Sequence, residues 1–290
     1  MTASRPNHRM RMTTLPRSIL LVLLLGYMVR PLDAQDRALF AQTASATLEQ
    51  NFSDPALSWL LLDRSGGILA QHWTHVQLPI PPGSLLKPFL AVAYGEQHEF
   101  NYPHVLCMGS QGKCWLPQGH GRLGLEQALA QSCNDYFLSL ANGLDRDRAM
   151  RTFNRFELNG LPRNADDSTL MGLSDGWRET PLSIARAYWK LLDDSSQPAQ
   201  ARIVAGMQAS AQTGTAREVD GALGAHAALA KTGTAVCTHS PRATADGFAV
   251  VLYPAEQPRM LLLLRRHGST GAQTAAQAGA MLRSLGMGSP

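Results

Sequence analysis

The pattern of hydrophobic and polar positions predicts short strands near both ends of the chain and helices between them. Runs of strand length and alternation predict strands over 57–63, 68–73, 227–236, 247–254 and 260–266. Apolar residues at helical spacing, with start and stop signals, predict helices over 36–51, 84–94, 123–130, 138–156, 180–192, 203–211 and 270–285. This order indicates an α+β domain whose sheet joins the two ends of the chain.

The first 34 residues have the layout of a secretory signal. A positive segment precedes an apolar run over 19–29, and Leu32-Asp33-Ala34 offers a cleavage site. The run is short for a membrane span. We therefore predict a signal peptide over 1–34, with an uncleaved anchor as the alternative, and one domain over 35–290. Export places that domain in the periplasm or on the outer face of the cytoplasmic membrane.

Composition and charge exclude some classes of protein. The chain is 44% hydrophobic and 17% charged, which is typical of a globular protein rather than a disordered one. Its sequence pI is about 9.0. However, the first 34 residues hold five of the 26 basic groups and one of the 22 acidic groups, which leaves 21 of each. The balanced remainder gives no case for nucleic-acid binding.

Ser84 and Lys87 are three residues apart at a predicted helix start, after Pro82-Gly83. Residues at i and i+3 are neighbours on one helix face, so the lysine amine can reach the serine hydroxyl. A serine needs a base to become nucleophilic, and a lysine acts as that base when its pKa is depressed. The alternative, with no catalytic role, is a serine that caps the helix beside a lysine exposed to solvent.

Two further segments carry candidate chemistry. Ser132 and Asn134 follow directly from a predicted helix, where a hydroxyl can relay a proton and an amide can bind a peptide, unless both are local caps. Lys231-Thr232-Gly233-Thr234 lies on a predicted strand, where the glycine permits close approach of a ligand and the lysine offers positive charge. The alternative is an exposed edge strand whose lysine only prevents pairing with other chains. Lysine accounts for only four of the 26 basic residues, and two of the four fall in these motifs.

The four cysteines gain meaning from the predicted export. Cys107 and Cys114 flank a short Gly-rich loop and are predicted to form a disulfide. His104 and His120 lie nearby, but the spacing fits no tight zinc motif, so no metal site is predicted. Cys133, between Ser132 and Asn134, is interpreted as a small buried residue.

Together these segments resemble the penicillin-binding protein transpeptidase domain, in the superfamily shared with serine β-lactamases. The resemblance rests on Ser84-x-x-Lys87, Ser132-x-Asn134 and Lys231-Thr-Gly in that order. Several flanking segments also fit: 119–121, 128–137, 151–160, 172–182 and 213–216. The resemblance covers roughly residues 55–285. It implies an antiparallel sheet built from the N- and C-terminal parts of the chain, flanked by helices, with an inserted mainly helical subdomain.

The resemblance also implies roles for residues. Ser84 is expected to be acylated and Lys87 to be its base, with Ser132 passing the proton to the leaving amine. Asn134 is expected to bind the substrate peptide. The closing segment supplies electrostatic tuning and carboxylate binding through Lys231, Thr232, Gly233 and Thr234. The expected ligands are D-Ala-D-Ala stem peptides of peptidoglycan and β-lactams, with no cofactor and with a separate glycan polymerase or cell-wall protein as partner.

Three alternatives remain open. A serine β-lactamase shares the acylation residues, but its Glu-x-x-x-Asn loop is matched poorly, because Arg155 stands four residues before Asn159. A non-catalytic scaffold with the same fold is the second. The third is an α/β-hydrolase, because Gly172-Leu-Ser174-Asp-Gly176 matches a nucleophile elbow, although no buried strand precedes it.

Overall fold

The computed structural model describes residues 34–193, 198–238, 243 and 245–288. The strands are β1 (Leu57–Asp63), β2 (Ile68–His72), β3 (Val105–Cys107), β4 (Gly121–Leu123), β5 (Leu229–Val236), β6 (Ala245–Tyr253) and β7 (Met260–His267). The helices are α1 (Ala34–Asn51), α2 (Lys87–Gln97), α3 (Leu125–Ala130), α4 (Asn134–Asn142), α5 (Arg146–Arg155), α6 (Asp167–Leu170), α7 (Pro181–Asp193), α8 (Pro198–Gln212), α9 (Arg217–Leu223) and α10 (Gly271–Ser284).

The predicted signal peptide lies outside the described residues except for Ala34. Within the described ranges, no helix has the length and apolar character needed to cross a membrane.

The two ends of the chain share one antiparallel sheet. Among the described residues it has five strands in the order β2-β1-β7-β6-β5. β1 pairs with β7 along its whole length, for example at Leu60 and Leu263. Helices α2 to α9 all lie between β2 and β5 in the sequence. The predicted α+β fold with an antiparallel sheet is therefore confirmed, and β5 is an edge strand.

The strands at the centre of the sheet are apolar because helices cover them. Leu57 to Leu62 are all buried, as are Leu261 to Leu264. Helix α10 packs against β5, β6 and β7, and α7 packs against β1 and β7. A strand buried on both faces has a continuous apolar run rather than an alternating one.

Aromatic packing fixes the position of the turn that carries Ser84. The Phe89 ring lies 5.2 Å from that of Phe156 and 5.3 Å from that of Tyr188, measured between centroids. The Tyr188 hydroxyl donates to the Leu85 carbonyl at 2.8 Å. A buried hydroxyl needs such a partner, so helix α7 anchors the backbone directly beside Ser84.

Some element boundaries differ from the sequence predictions. The helix predicted over 138–156 is two helices, α4 and α5, and Asp145 caps the second by accepting from the Arg148 amide. The segment 160–174, to which the sequence analysis assigned neither a helix nor a strand, contains the short helix α6. The helix predicted from Leu123 begins at Leu125, because Gly121–Leu123 pairs instead with Val105–Cys107.

Candidate active site

Ser84 lies in a 3₁₀ turn, Gly83–Leu86, that leads directly into α2. Gly83 has a φ of +61°, and a Cβ there would lie 2.6 Å from the Thr234 carbonyl oxygen. Only glycine accepts both the left-handed backbone and this close approach. The Ser84 turn and strand β5 are therefore in direct backbone contact.

Gly233 serves the same contact from the other side. A Cβ at Gly233 would lie 3.0 Å from the Pro82 carbonyl oxygen and 3.1 Å from Leu85 Cγ. The glycine of the Lys-Thr-Gly segment thus lets the strand rest on the Ser84 turn. The sequence analysis expected a ligand to approach closely at this glycine; in the structure the backbone that approaches is the chain's own Ser84 turn.

Lys87 connects the first motif to the second. Its side chain is fully buried, and Nζ donates to the Ser132 carbonyl at 2.8 Å and to Asn134 Oδ1 at 2.7 Å. Burial lowers the pKa of Lys87 to about 7, and the nearby thiols of Cys133 and Cys114 oppose this shift only in part. In the described part of the chain, no hydrogen bond joins Lys87 Nζ to Ser84 Oγ.

Ser132 lies between the two lysines. Its backbone has a φ of +49°, an uncommon conformation for serine, at the junction of α3 and α4. Its Oγ accepts from Lys231 Nζ at 2.8 Å, while Lys87 Nζ lies 3.5 Å away. Lys231 is also fully buried; burial, and secondarily the charge of Lys87, lower the pKa of Lys231 well below its usual value. The three motifs therefore meet around the Ser132 hydroxyl.

Asn134 uses both ends of its amide. Oδ1 accepts from Lys87, and Nδ2 donates to the Lys113 carbonyl at 3.2 Å. Next to it, Asp135 accepts from the Met108 amide at 2.9 Å. These bonds tie the start of α4 to the loop between β3 and β4.

The two threonines of the closing motif have different surroundings. Thr232 is buried, and its Oγ1 lies 2.6 Å from Thr215 Oγ1. Thr234 is exposed, and its Oγ1 accepts from the Gly271 amide at 3.0 Å. Thr215 is the site residue that the sequence analysis did not single out, although it stands in the recognised segment 213–216. The sequence therefore contained the segment that includes Thr215, but no role was predicted for this residue.

A cleft of about 800 Å³ opens beside Asn134. Lys113, Met171 and Leu173 are among its lining residues. This volume is sufficient for a small-molecule or peptide ligand.

The predicted Cys107–Cys114 disulfide is not formed in this structure, where all four cysteines are free. Instead, Cys107, Cys114, Cys133 and His120 converge, with one donor atom from each within 4.8 Å of all the others. Burial, the largest effect, raises the pKa of the Cys133 thiol, and burial lowers that of His120. His104 is not part of this group.

The residues on which the α/β-hydrolase and β-lactamase alternatives depend have local structural roles. Ser174 Oγ lies 2.8 Å from Thr169 Oγ1, and the short helix α6, not a strand, precedes it. Gly172 packs against the backbone of Gly83. Glu157, which lies two residues before Asn159 in the segment that superficially resembles the Glu-x-x-x-Asn loop, is exposed and forms an ion pair with Lys190 at 2.7 Å. The nucleophile elbow and the glutamate base therefore both lack their structural context.

Comparisons with known proteins give one consistent result. Residues 63–285 match the family profile described as the penicillin binding protein transpeptidase domain. No curated protein matches the chain.

Solved structures of the same type share the fold. The chain is similar to Pseudomonas aeruginosa PBP2 in complex with WCK 5153, with 18% identity and a TM-score of 0.67, over 86% of this chain and 73% of that one. It is similar to the D,D-transpeptidase domain of a peptidoglycan glycosyltransferase from Eggerthella lenta, with 15% identity and a TM-score of 0.64, over 83% and 80%. For Helicobacter pylori PBP2 in complex with MreC the values are 16% and 0.69, over 84% of this chain but 63% of that one.

Proposed function

Because the chain belongs to the penicillin-binding protein transpeptidase domain family, we propose that it is a serine acyltransferase acting on the D-Ala-D-Ala ends of peptidoglycan stem peptides. Ser84 is the proposed nucleophile. The observation that carries the proposal is the buried amine of Lys87, whose two short hydrogen bonds join it to Ser132 and Asn134.

The hydrogen bonds of Lys87 suit a general base. A neutral amine has two N–H bonds and one lone pair, and the Ser132 carbonyl and Asn134 Oδ1 engage both N–H bonds. The lone pair is then left for the Ser84 proton. A pKa of about 7 leaves a large fraction of the amine neutral at physiological pH. Lysine has the residue chemistry for this role because its pKa responds strongly to burial.

Ser132 and Lys231 form the proposed return path for the proton. Attack by Ser84 Oγ on the D-Ala carbonyl gives a tetrahedral intermediate, and the leaving D-Ala amine must gain a proton. Ser132 Oγ lies within reach of both Lys87 and Lys231, at 3.5 Å and 2.8 Å. The hydroxyl can donate its proton to the leaving amine and regain one from a neighbouring lysine.

The backbone contact between the Ser84 turn and β5 supports an oxyanion hole. The proposed donors are the N–H groups of Ser84 and Thr234, and the Gly83 and Gly233 contacts hold these two backbones together. Removing one such donor in a known enzyme costs about 10²–10³ in kcat.

The edge position of β5 supports a peptide substrate. An extended peptide can add to an exposed strand edge through backbone hydrogen bonds. Exposed Thr234 is the proposed receptor of the terminal carboxylate, with Lys231 donating to Ser132 beside it. Thr232 acts in this scheme through its bond to Thr215. This gives Thr232 and Thr215 a shared positioning role beside the carboxylate site.

The full chain incubated with a fluorescent penicillin is expected to acquire one covalent adduct, on the peptide that contains Ser84. Intact-mass measurement and peptide mapping check this result. Fast turnover of nitrocefin would indicate a β-lactamase instead, and no adduct at any concentration would indicate a scaffold. Products formed from a pentapeptide muropeptide, with and without an acceptor amine, separate transpeptidation from carboxypeptidation.

The acylation rate is expected to rise with pH around the Lys87 pKa of about 7. Below that pH the amine is protonated and cannot accept the Ser84 proton; above it the neutral base predominates and the rate reaches a plateau. Stopped-flow acylation by a penicillin without a group titrating in this range measures the profile. A flat profile between about pH 6 and pH 9 would contradict Lys87 as the titrating base.

The proposed ligands follow from the same site. β-Lactams present an acylating carbonyl and a carboxylate, as a D-Ala-D-Ala end does, so they are the proposed inhibitors. We also place the domain outside the cytoplasm, where its peptidoglycan substrate lies. A separate glycan polymerase or cell-wall protein is its proposed partner. The H. pylori protein named above was solved in complex with a separate protein, MreC.

A further inference from the structure

Four side chains from the segment between Cys107 and Cys133 meet next to the candidate active site. Cys107 ends β3, Cys114 lies in the following loop, His120 precedes β4, and Cys133 precedes α4. All three cysteines are buried. One donor atom from each of the four residues lies within 4.8 Å of the other three.

The spacing of the donor atoms is that of a tetrahedral metal centre. With Zn–S bonds of about 2.3 Å and Zn–N bonds of about 2.05 Å, tetrahedral geometry separates two sulfurs by about 3.8 Å and a sulfur from a nitrogen by about 3.6 Å. Cys114 Sγ and Cys133 Sγ are 3.9 Å apart. His120 Nδ1 lies 3.4 Å from Cys107 Sγ and 3.5 Å from Cys114 Sγ. The structure assigns these four residues to a closed zinc site with three thiolates and one imidazole.

The sulfur atoms lie in buried surroundings, since Cys107, Cys114 and Cys133 are all buried. Metal ligands must be deprotonated, so a cation bound among these side chains would be held by three thiolates and one neutral imidazole. Pairing with the cation would compensate the buried charges of the thiolates.

The donor set selects the metal. Thiolate and imidazole ligands in a four-coordinate arrangement suit Zn²⁺, and Cys₃His sites are typical of structural zinc. Four protein ligands fill the coordination shell, so this ion would hold no reacting water. A disulfide accounts for the cluster less well, because one bridge between two of the three thiols leaves the third beside it unpaired.

The position of Cys133 gives the site a consequence for the enzyme. Cys133 lies between Ser132 and Asn134, and Cys114 follows Lys113, whose carbonyl accepts from Asn134. A zinc ion bound to Cys114 and Cys133 would hold both of the chain segments that form this contact in place. The metal ligands are therefore positioning residues for Lys87 and Asn134. This consequence for catalysis rests on the proposed function, whereas the metal site itself does not.

Metal analysis of the purified full chain tests the site directly. Elemental mass spectrometry is expected to find about one zinc per chain. Co²⁺ exchanged into the protein is expected to give the intense visible bands of a tetrahedral thiolate site. An intact mass lower by two hydrogens, with no metal, would show a disulfide and overturn the proposal.

Matched variants locate the ion and keep the test valid when one of them folds poorly. Cys114→Ser and His120→Ala are expected to lose zinc at least about tenfold, whereas His120→Cys, which keeps a ligand, retains it. Cys237→Ser is the control, since Cys237 lies outside the cluster, and it is expected to keep the full metal content. Zinc retained in Cys114→Ser and lost in Cys237→Ser would refute the assignment.

Chelation separates the metal site from its effect on catalysis. Removal of zinc from the wild-type chain is expected to lower the melting temperature and to slow penicillin acylation about tenfold or more, and added Zn²⁺ is expected to restore both. Bound zinc whose removal leaves acylation unchanged would refute the positioning role but not the site. Bound zinc in a chain that is never acylated would refute the proposed function and leave the metal assignment standing.

Discussion

The Ser84→Ala variant is expected to lose all covalent labelling by penicillin while keeping its fold. The reaction forms an ester at Ser84 Oγ, and alanine has no atom that can form it. Ser84 Oγ makes no hydrogen bond within the described residues, so its removal leaves no partner unsatisfied. We therefore expect a melting temperature close to that of the wild type. Gel fluorescence after incubation with a fluorescent penicillin, with thermal melting in parallel, measures both outcomes.

Ser174→Ala is the matched control for this experiment. Ser174 belongs to the Gly-x-Ser-x-Gly segment, and its hydroxyl bonds to Thr169 on the helix before it. Its loss is expected to leave labelling intact, at most with a small drop in stability of about 1 kcal/mol. Labelling retained in Ser84→Ala and lost in Ser174→Ala would move the nucleophile to the second motif.

Much of the fold could be predicted because burial shapes the hydrophobic pattern. β1 was predicted with its observed bounds, since Leu57–Leu62 is apolar except at Ser58 and turn residues follow Asp63. α7 begins as predicted, because Thr180 caps it and Pro181 takes the first helical position. In contrast, β3 and β4 are three residues each, too short for any periodicity to appear. Their pairing depends on tertiary contacts.

The residues that meet in the candidate site could be singled out from the sequence, but their contacts could not. The lysine scarcity and the order of three motifs pointed to Ser84, Lys87 and Lys231. No local pattern, however, indicates that Lys87 donates to Ser132 and Asn134, because these bonds join residues 45 and 47 positions apart. Only the folded chain brings them together.

The cysteines show the limit of reasoning from spacing. Cys107 and Cys114 were predicted to pair because they are close in sequence. The structure adds Cys133, directly before α4, and His120, directly before β4. Ligand sets assembled from several loops have no fixed spacing, so a search for compact zinc motifs overlooks them.

The Lys87→Met variant is expected to slow acylation by about 10²–10⁴-fold, the usual contribution of a general base. Methionine has a similar length and no lone pair of comparable basicity, so the cavity stays filled while the base is lost. Lys190→Met is the control, because Lys190 is partly exposed and pairs only with Glu157 among the ion pairs of the described residues. Its acylation rate is expected to match that of the wild type.

The stability of Lys87→Met follows from two opposing terms. Burial lowers the Lys87 pKa from its usual 10.5 to about 7, which corresponds to about 5 kcal/mol of destabilisation wherever the lysine is charged in both states, below about pH 7. That penalty falls between about pH 7 and pH 10.5 and is gone above the unfolded-state value. Methionine removes this penalty, but it leaves the Ser132 carbonyl and Asn134 Oδ1 without a hydrogen-bond donor, which costs about 1–3 kcal/mol for each. The removed charge penalty and the cost of the two unpaired oxygens nearly offset each other, so the melting temperature at neutral pH is expected to change little.

Chemical rescue distinguishes a missing base from a distorted site. In Lys87→Ala the truncated side chain leaves a cavity beside Ser132 and Asn134, and a small alkylamine can supply the absent lone pair there. Acylation is expected to recover with amine concentration and with pH, following the pKa of the added amine rather than that of Lys87. Lys87→Met, whose cavity is filled, is expected to show no recovery. Acylation within tenfold of the wild type in both variants, without amine, would mean that another group takes the Ser84 proton, and Lys231 through Ser132 would be the next residue to test.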